Sequence, residues 1–146
     1  MRLSLHKGGL RPDEAGDHGL NVFRYAILPH GAFSAERVVA PAYAFNYALV
    51  AIEGRLDMPP LVSVAHANVI VETVKPCEDA QSAYILRLYE AAGDWTRTSL
   101  RFARKPDAVI ECNMLEDELA QANPDDLVFE PFRIRTFKVV YNSKEE

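Results

Sequence analysis

Asn68-Val69-Ile70-Val71-Glu72-Thr73-Val74-Lys75 and, after Pro76–Ser82, Ala83-Tyr84-Ile85-Leu86-Arg87-Leu88-Tyr89-Glu90 form the passage whose reading decides the fold. Both runs are rich in β-branched and aromatic residues and are bounded by Pro, Asp and Gly, the composition of strands. The short segment between them joins them most simply as an antiparallel hairpin. If Lys75 lies opposite Tyr84, Glu72 falls opposite Arg87. That register pairs the two charges inside otherwise apolar strands, as a half-buried sheet requires.

Similar short runs extend outward in both directions. Towards the amino terminus lie Leu61–Ala65, Asn21–Leu28 and an abrupt first strand at Arg2–Leu5. In Asn21–Leu28, Phe23, Tyr25 and Ile27 alternate with Val22, Arg24 and Ala26. Ser34 can cap a short helix near residues 35–40 that Pro41 stops. Ala42–Ile52 is apolar without a clean period and reads as extended. Towards the carboxyl terminus lie Trp95–Phe102, Ala108–Asn113, Leu127–Phe129 and Phe132–Tyr141. The last run changes phase, so either a bulge near Thr136 resets the register or the strand is buried on both faces. Short strands at this spacing predict an all-β, antiparallel sandwich of the super-sandwich type over a single domain, residues 1–146.

Composition excludes several functions. The chain has 21 acidic and 16 basic residues, a net charge of −5, so nothing would offset phosphate repulsion and nucleic acid is not an expected partner. No apolar run approaches the roughly 20 residues that span a bilayer, and no membrane partner is expected. Cys77 and Cys112 stand far apart in no metal-type spacing, and two buried reduced thiols are the simplest reading. With no signal-peptide core at the start, the cytoplasm is the expected compartment.

A catalyst is not visible. There is no Gly-x-Ser-x-Gly elbow and no phosphate-cradling loop, and His6, His18, His30 and His66 never fall at metal-ligand spacing. No catalytic residue and no metal ligand is therefore assigned. Glu111, Glu116, Asp117, Glu118, Asp125, Asp126 and Glu130 form a stretch without a basic residue. It reads as a solvated acidic loop, with calcium as the weaker alternative because the usual Asp-x-Asp-x-Asp-Gly spacing is missing. Trp95, just after Gly93-Asp94, is the one candidate indole platform for a sugar, although its size favours packing in the core.

The decisive passage also resembles a known family. The pattern of apolar strand, Lys75, Glu78-Asp79, a turn, then Arg87-Leu88-Tyr89-Glu90 and Gly93 is similar to the C-terminal region of glycoside hydrolase family 38 α-mannosidases. Further landmarks follow in the same order: Leu3-Ser4-Leu5, Pro12-Asp13, Asp17-His18-Gly19, Phe23–His30, Ala42–Asn46, Asn113–Glu116 and Pro131–Phe137. Departures occur at Asn21, Ala48 and Arg133, where the family more often has His, Pro and Glu.

The resemblance implies a non-catalytic accessory domain of a retaining, zinc-dependent α-mannosidase. The zinc and the aspartate nucleophile would belong to an N-terminal catalytic domain of the same polypeptide, the expected partner. The chain opens inside a strand pattern, which reads as a piece cut from that larger enzyme. Lys75, Glu78, Arg87 and Glu90 then become a structural motif that ties a hairpin together or docks it on the neighbouring domain. Asp17, in its glycine-flanked loop, and Trp95 are the candidates for substrate contact. Self-association through an apolar patch and a glycan ligand complete the partners this reading admits. The rival reading is a free-standing carbohydrate-binding β-sandwich module.

Overall fold

The hairpin forms, in the expected register over Val69–Val71 but one residue out of it over Thr73–Pro76. The computed structural model describes residues 3–142 apart from 7, 10, 13, 17, 48–50, 52 and 56–58. After a short β1 (Val62–Val64), β2 (Val69–Pro76) runs antiparallel to β3 (Ala83–Glu90). Pro76 faces Tyr84 and Lys75 faces Ile85. A bulge between Val71 and Thr73 then leaves Thr73 opposite Arg87.

The expected pairing of Glu72 with Arg87 is thereby corrected. Glu72 is the extra residue, exposed, with its carboxylate on Thr73 Oγ1. Arg87 donates from Nε to Thr136 Oγ1 at 3.2 Å. The cause lies in position: β2 is the outer strand of its sheet. A bulge and a terminal proline are common ways to blunt such an edge, and a charge there is solvated without needing an opposite charge.

The main sheet has the order β2-β3-β9-β6-β7, with β6 at Ala108–Cys112, β7 at Glu118–Gln121 and β9 at Ile134–Val140. Every pairing in it is antiparallel. Two ribbons make the second layer: β4 (Thr96–Thr98) with β8 (Leu127–Phe129), and β1 with β5 (Leu100–Phe102). The expected single strand Trp95–Phe102 is thus split at Ser99, where the chain passes from one ribbon to the other.

The core lies between these layers. From the main sheet it takes Val69, Leu86, Leu88, Val109, Phe137 and Val139, and from the ribbons Leu100, Leu127 and Phe129. A smaller apolar group of Cys77, Ala83, Ile85 and Cys112 lies on the other face of the same sheet. The last strand is covered on both faces only around Thr136, and its phase change comes from Phe132 and Ile134, which are exposed. Thr136 and Phe137 are adjacent and both buried, and β9 pairs with both neighbours without a register shift. Phe132 lies outside the strand, at φ 57°.

The amino-terminal expectations are corrected more heavily. Ser34 caps a helix, its Oγ accepting from Arg37 N at 3.2 Å. The first turn, Ala35–Val39, is π-helical and leads into α1 (Ala40–Asn46). Pro41 does not stop the helix. It sits in the first α-helical turn, where a missing N–H costs nothing. The extended reading of Ala42–Ile52 is overturned as far as Asn46, while 48–50 and 52 lie outside the described residues. Leu3–Leu5 forms no strand, Arg2 is not described, and residues 20–30 join no ladder.

Phe137 is fully buried on the central β9. Phe137→Ala should destabilise the fold by about 3–5 kcal/mol through lost burial and the cavity left behind. Urea unfolding of the two proteins, with equal m-values, measures it.

Candidate functional site

The motif residues do not gather at one point. They occupy three stations along the hairpin, each tying it to a different part of the chain.

At the β2–β3 turn, the Lys75 ammonium meets the carboxylate of Glu116 and lies 3.2 Å from Glu78 Oε1. Glu116 arrives from the turn between β6 and β7. There Asn113 Oδ1 accepts from Leu115 N at 2.8 Å and from Asp117 N at 3.0 Å. This turn puts Glu116 at φ 71°, a left-handed geometry that costs a side-chain-bearing residue about 1 kcal/mol or somewhat more. In exchange its carboxylate is buried and also accepts from Glu78 N at 3.0 Å and Cys77 Sγ at 3.3 Å. The Lys75 hydrogen bond, then the Glu78 N–H, hold the Glu116 carboxyl down at about 2. The Glu116 carboxylate, then that of Glu78, raises the Lys75 ammonium above its ordinary range.

Arg87 stands mid-strand, bonded to Thr136 of β9, and touches none of the other three motif residues. Glu90 closes the far end. It is fully buried and meets no cation among the described residues. Four backbone N–H groups serve it instead: Ala92 at 2.8 Å on Oε1, and Gly93 at 2.7 Å, Phe132 at 3.1 Å and Asp94 at 3.2 Å on Oε2. Burial alone would push this carboxyl up, but the four donors outweigh it and hold it below its usual range. Gly93 is required here: its φ is 81°, and a Cβ would come within 2.7 Å of the Phe132 ring.

The turn that Glu90 fixes delivers Trp95. The core placement favoured for this residue is corrected, since Trp95 is 70% exposed. Its neighbours Thr96 and Thr98 take the inward positions of β4, so alternation sends the indole outward. It overhangs a cleft of about 460 Å³ whose walls include Glu111, Asp126, Glu130, Arg133 and Arg135. Arg135 donates from Nε to Glu111 Oε1 at 2.9 Å and from Nη1 to Val128 O at 3.0 Å. Its guanidinium carbon lies 5.0 Å from the centre of the Phe137 ring and 5.4 Å from that of Phe129. The Arg135 contact holds the Glu111 carboxyl below its ordinary range.

The acidic stretch is solvated at Asp117, Glu118, Asp125, Asp126 and Glu130, but it is not simply a loop. It includes β7, which the sequence reading missed, and four of its acids meet bases from other strands. Glu111 pairs with Arg135, Glu116 with Lys75, Glu118 with Lys138 and Asp126 with Arg97. Asp117 takes a hydrogen bond from Asn113 Nδ2 at 2.8 Å. Among the described residues no group of three or more His, Cys, Asp or Glu side chains is placed to hold a metal ion, so they do not fit the implied zinc. Asp17 lies outside the described residues. Glu116, Glu111 and Arg135 escaped the sequence reading as partners. Glu111 figures there only as a member of the acidic stretch, Glu116 in that stretch and the Asn113–Glu116 landmark, and Arg135 only within the Pro131–Phe137 landmark.

Residues 68–137 match the family described as the glycosyl hydrolases family 38 C-terminal beta sandwich domain. This segment is a family 38 C-terminal beta sandwich. The match covers the main sheet and both ribbons except β1 and the last residues of β9. The chain is also similar to alpha-mannosidase 2C1 of Mus musculus, 32% identical over 98% of this chain, and to that of Homo sapiens, 31% identical over 96%. It spans about 15% of the length of these curated relatives. Among the described residues no helix is long and apolar enough to cross a membrane.

Two outcomes follow. Glu116 has an ordinary value of 4.5 and a folded value of about 2, so on acidification the unfolded chain takes the proton first. The stability it contributes is whole above pH 4.5 and is lost as the pH falls to about 2. Glu116→Gln should flatten that limb of a stability–pH curve measured by urea unfolding. Glu90→Gln turns an amide N–H₂ towards a backbone donor and should cost about 2 kcal/mol in the same assay at neutral pH.

Proposed function

We propose that this chain serves as a non-catalytic accessory domain of a retaining, zinc-dependent α-mannosidase, supporting a catalytic domain carried elsewhere in the same polypeptide. The observation that carries this reading is the state of residues 20–30. They have the alternation of a strand and no ladder partner, with Leu20 94%, Val22 79% and Ile27 65% exposed. Tyr25, Ile27 and Leu28 line only an apolar groove shared with α1 residues such as Pro41 and Phe45. Apolar surface of this extent is costly in water and marks an interface. A chain that spans 15% of its relatives has a natural partner for it in the remainder of such an enzyme.

Zinc and a nucleophile would then be supplied outside these residues, and the mannoside would be cleaved there. The part played by this domain is mechanical: a rigid sandwich presenting one adhesive segment. A second copy of the chain is the other occupant that segment would accept. The buried, unbridged thiols of Cys77 and Cys112 suit a reducing compartment, and we place the enzyme in the cytoplasm.

The test has two arms. The purified 146-residue chain should not turn over an aryl α-mannoside with or without added zinc, and sustained turnover would overturn the reading. In the longer enzyme, Tyr25→Asp with Ile27→Asp should reduce the yield of active enzyme several-fold while leaving KM per active molecule unchanged. Full yield in that double variant would equally sink it.

A further inference from the structure

The cleft beneath Trp95 is not used by the accessory role, and its construction points to a ligand. A large indole is placed in solvent on an immobile base. Gly93 N and Asp94 N, just before Trp95, are held by the buried Glu90, and Thr96, just after it, is buried and paired with Phe129. A flat apolar face is thus presented at little conformational cost, the condition under which an exposed aromatic contributes to binding.

The floor is equally fixed. Arg135 is stacked on two core aromatics and bonded to Glu111 and to the backbone of Val128. Asp126 is held by Arg97, with Nε–Oδ1 at 2.7 Å. Glu130 and Arg133 have no side-chain hydrogen bond or ion pair among the described residues, and both line the cleft. A free acceptor and a free donor therefore stand beside the indole.

Charge narrows the ligand. The lining holds Glu111, Asp126 and Glu130 against Arg133 and Arg135, and Arg97 on Asp126 makes three acids and three guanidiniums. A balanced set gives no field to attract a phosphate or a polyanion. A wall of charged groups is equally poor for an apolar peptide. The volume of about 460 Å³ lies within the ~300–1,000 Å³ typical of small-molecule sites.

We propose that this cleft binds a neutral pyranose sugar, the C–H face of the ring lying on Trp95 and its hydroxyls bonded by Glu130 and Arg133. The site would hold a glycan on the accessory domain without cleaving it. The assignment rests on the cleft alone and is independent of where the catalytic groups reside.

Trp95 is the only tryptophan of the chain, so its emission reports on the cleft directly. Titration of the 146-residue chain with neutral mannose and glucose trisaccharides should shift that emission saturably, with a dissociation constant on the order of 1 mM. Inorganic phosphate should not. Glu130→Gln with Arg133→Ala should weaken binding about tenfold without moving the melting temperature, since both side chains are unbonded. Trp95→Ala, followed by NMR shifts of the sugar, should abolish it.

No saturable change with any neutral saccharide at concentrations on the order of 10 mM would overturn the proposal. So would binding that the double variant leaves untouched. Protection of Trp95 from N-bromosuccinimide in the longer, sugar-free enzyme would also overturn it, because the cleft would then be a seam within the polypeptide. None of these outcomes depends on turnover, so failure here is separate from failure of the accessory reading.

Discussion

A carboxylate enclosed in protein with no cation beside it is stable only if donors replace the water it has lost. At Glu90 those donors are backbone N–H groups from two places far apart in the chain, the turn of residues 92–94 and Phe132. That constraint joins the end of β3, the entry to β4 and the approach to β9. The sandwich depends on it, because β3 and β9 are adjacent in the main sheet while β4 belongs to the other layer. The same atoms that connect the layers also aim Trp95 outward.

The other charged residues follow a related logic at lower cost. Each acid of the stretch from Glu111 to Asp126 that meets a base finds it on another element: Lys75 on β2, Arg97 on β4, Arg135 and Lys138 on β9. Exposed pairs such as Asp126–Arg97 contribute little to stability, but Lys75–Glu116 and Arg135–Glu111 are partly screened from water and fix geometry. Glu116 accepts a left-handed backbone to reach its partner. Glu111 and Arg135 close one end of the core and give the cleft its floor. Charge here positions surfaces, and the apolar residues supply most of the folding free energy.

Much of the β architecture was legible because burial enforces a period of two. Ala83–Glu90 and Leu127–Phe129 were read to the residue, whereas the phase change at Phe132–Tyr141 came from two exposed apolar residues, Phe132 and Ile134. Other features were not legible. Register failed at Glu72 because a bulge on an edge strand leaves no imprint in the alternation. β7 was missed because all four of its residues are exposed, so no hydrophobic pattern exists to find. Pro41 misled because its effect on a helix depends on whether it falls in the first turn. The placement of Trp95 depended on which neighbours took the inward positions, and residue type alone favoured the opposite answer.

The amino-acid order by itself determined the class of fold, most of the strands, the capping serine of the helix and the family, since each rests on local pattern or on landmarks in sequence. Tertiary structure alone decided which charges meet. Lys75 and Glu116 are 41 residues apart, and Glu90 and Phe132 are 42 residues apart. Nothing local encodes such contacts, because they form only where strand order and register bring distant backbones within hydrogen-bond reach and water is excluded around them.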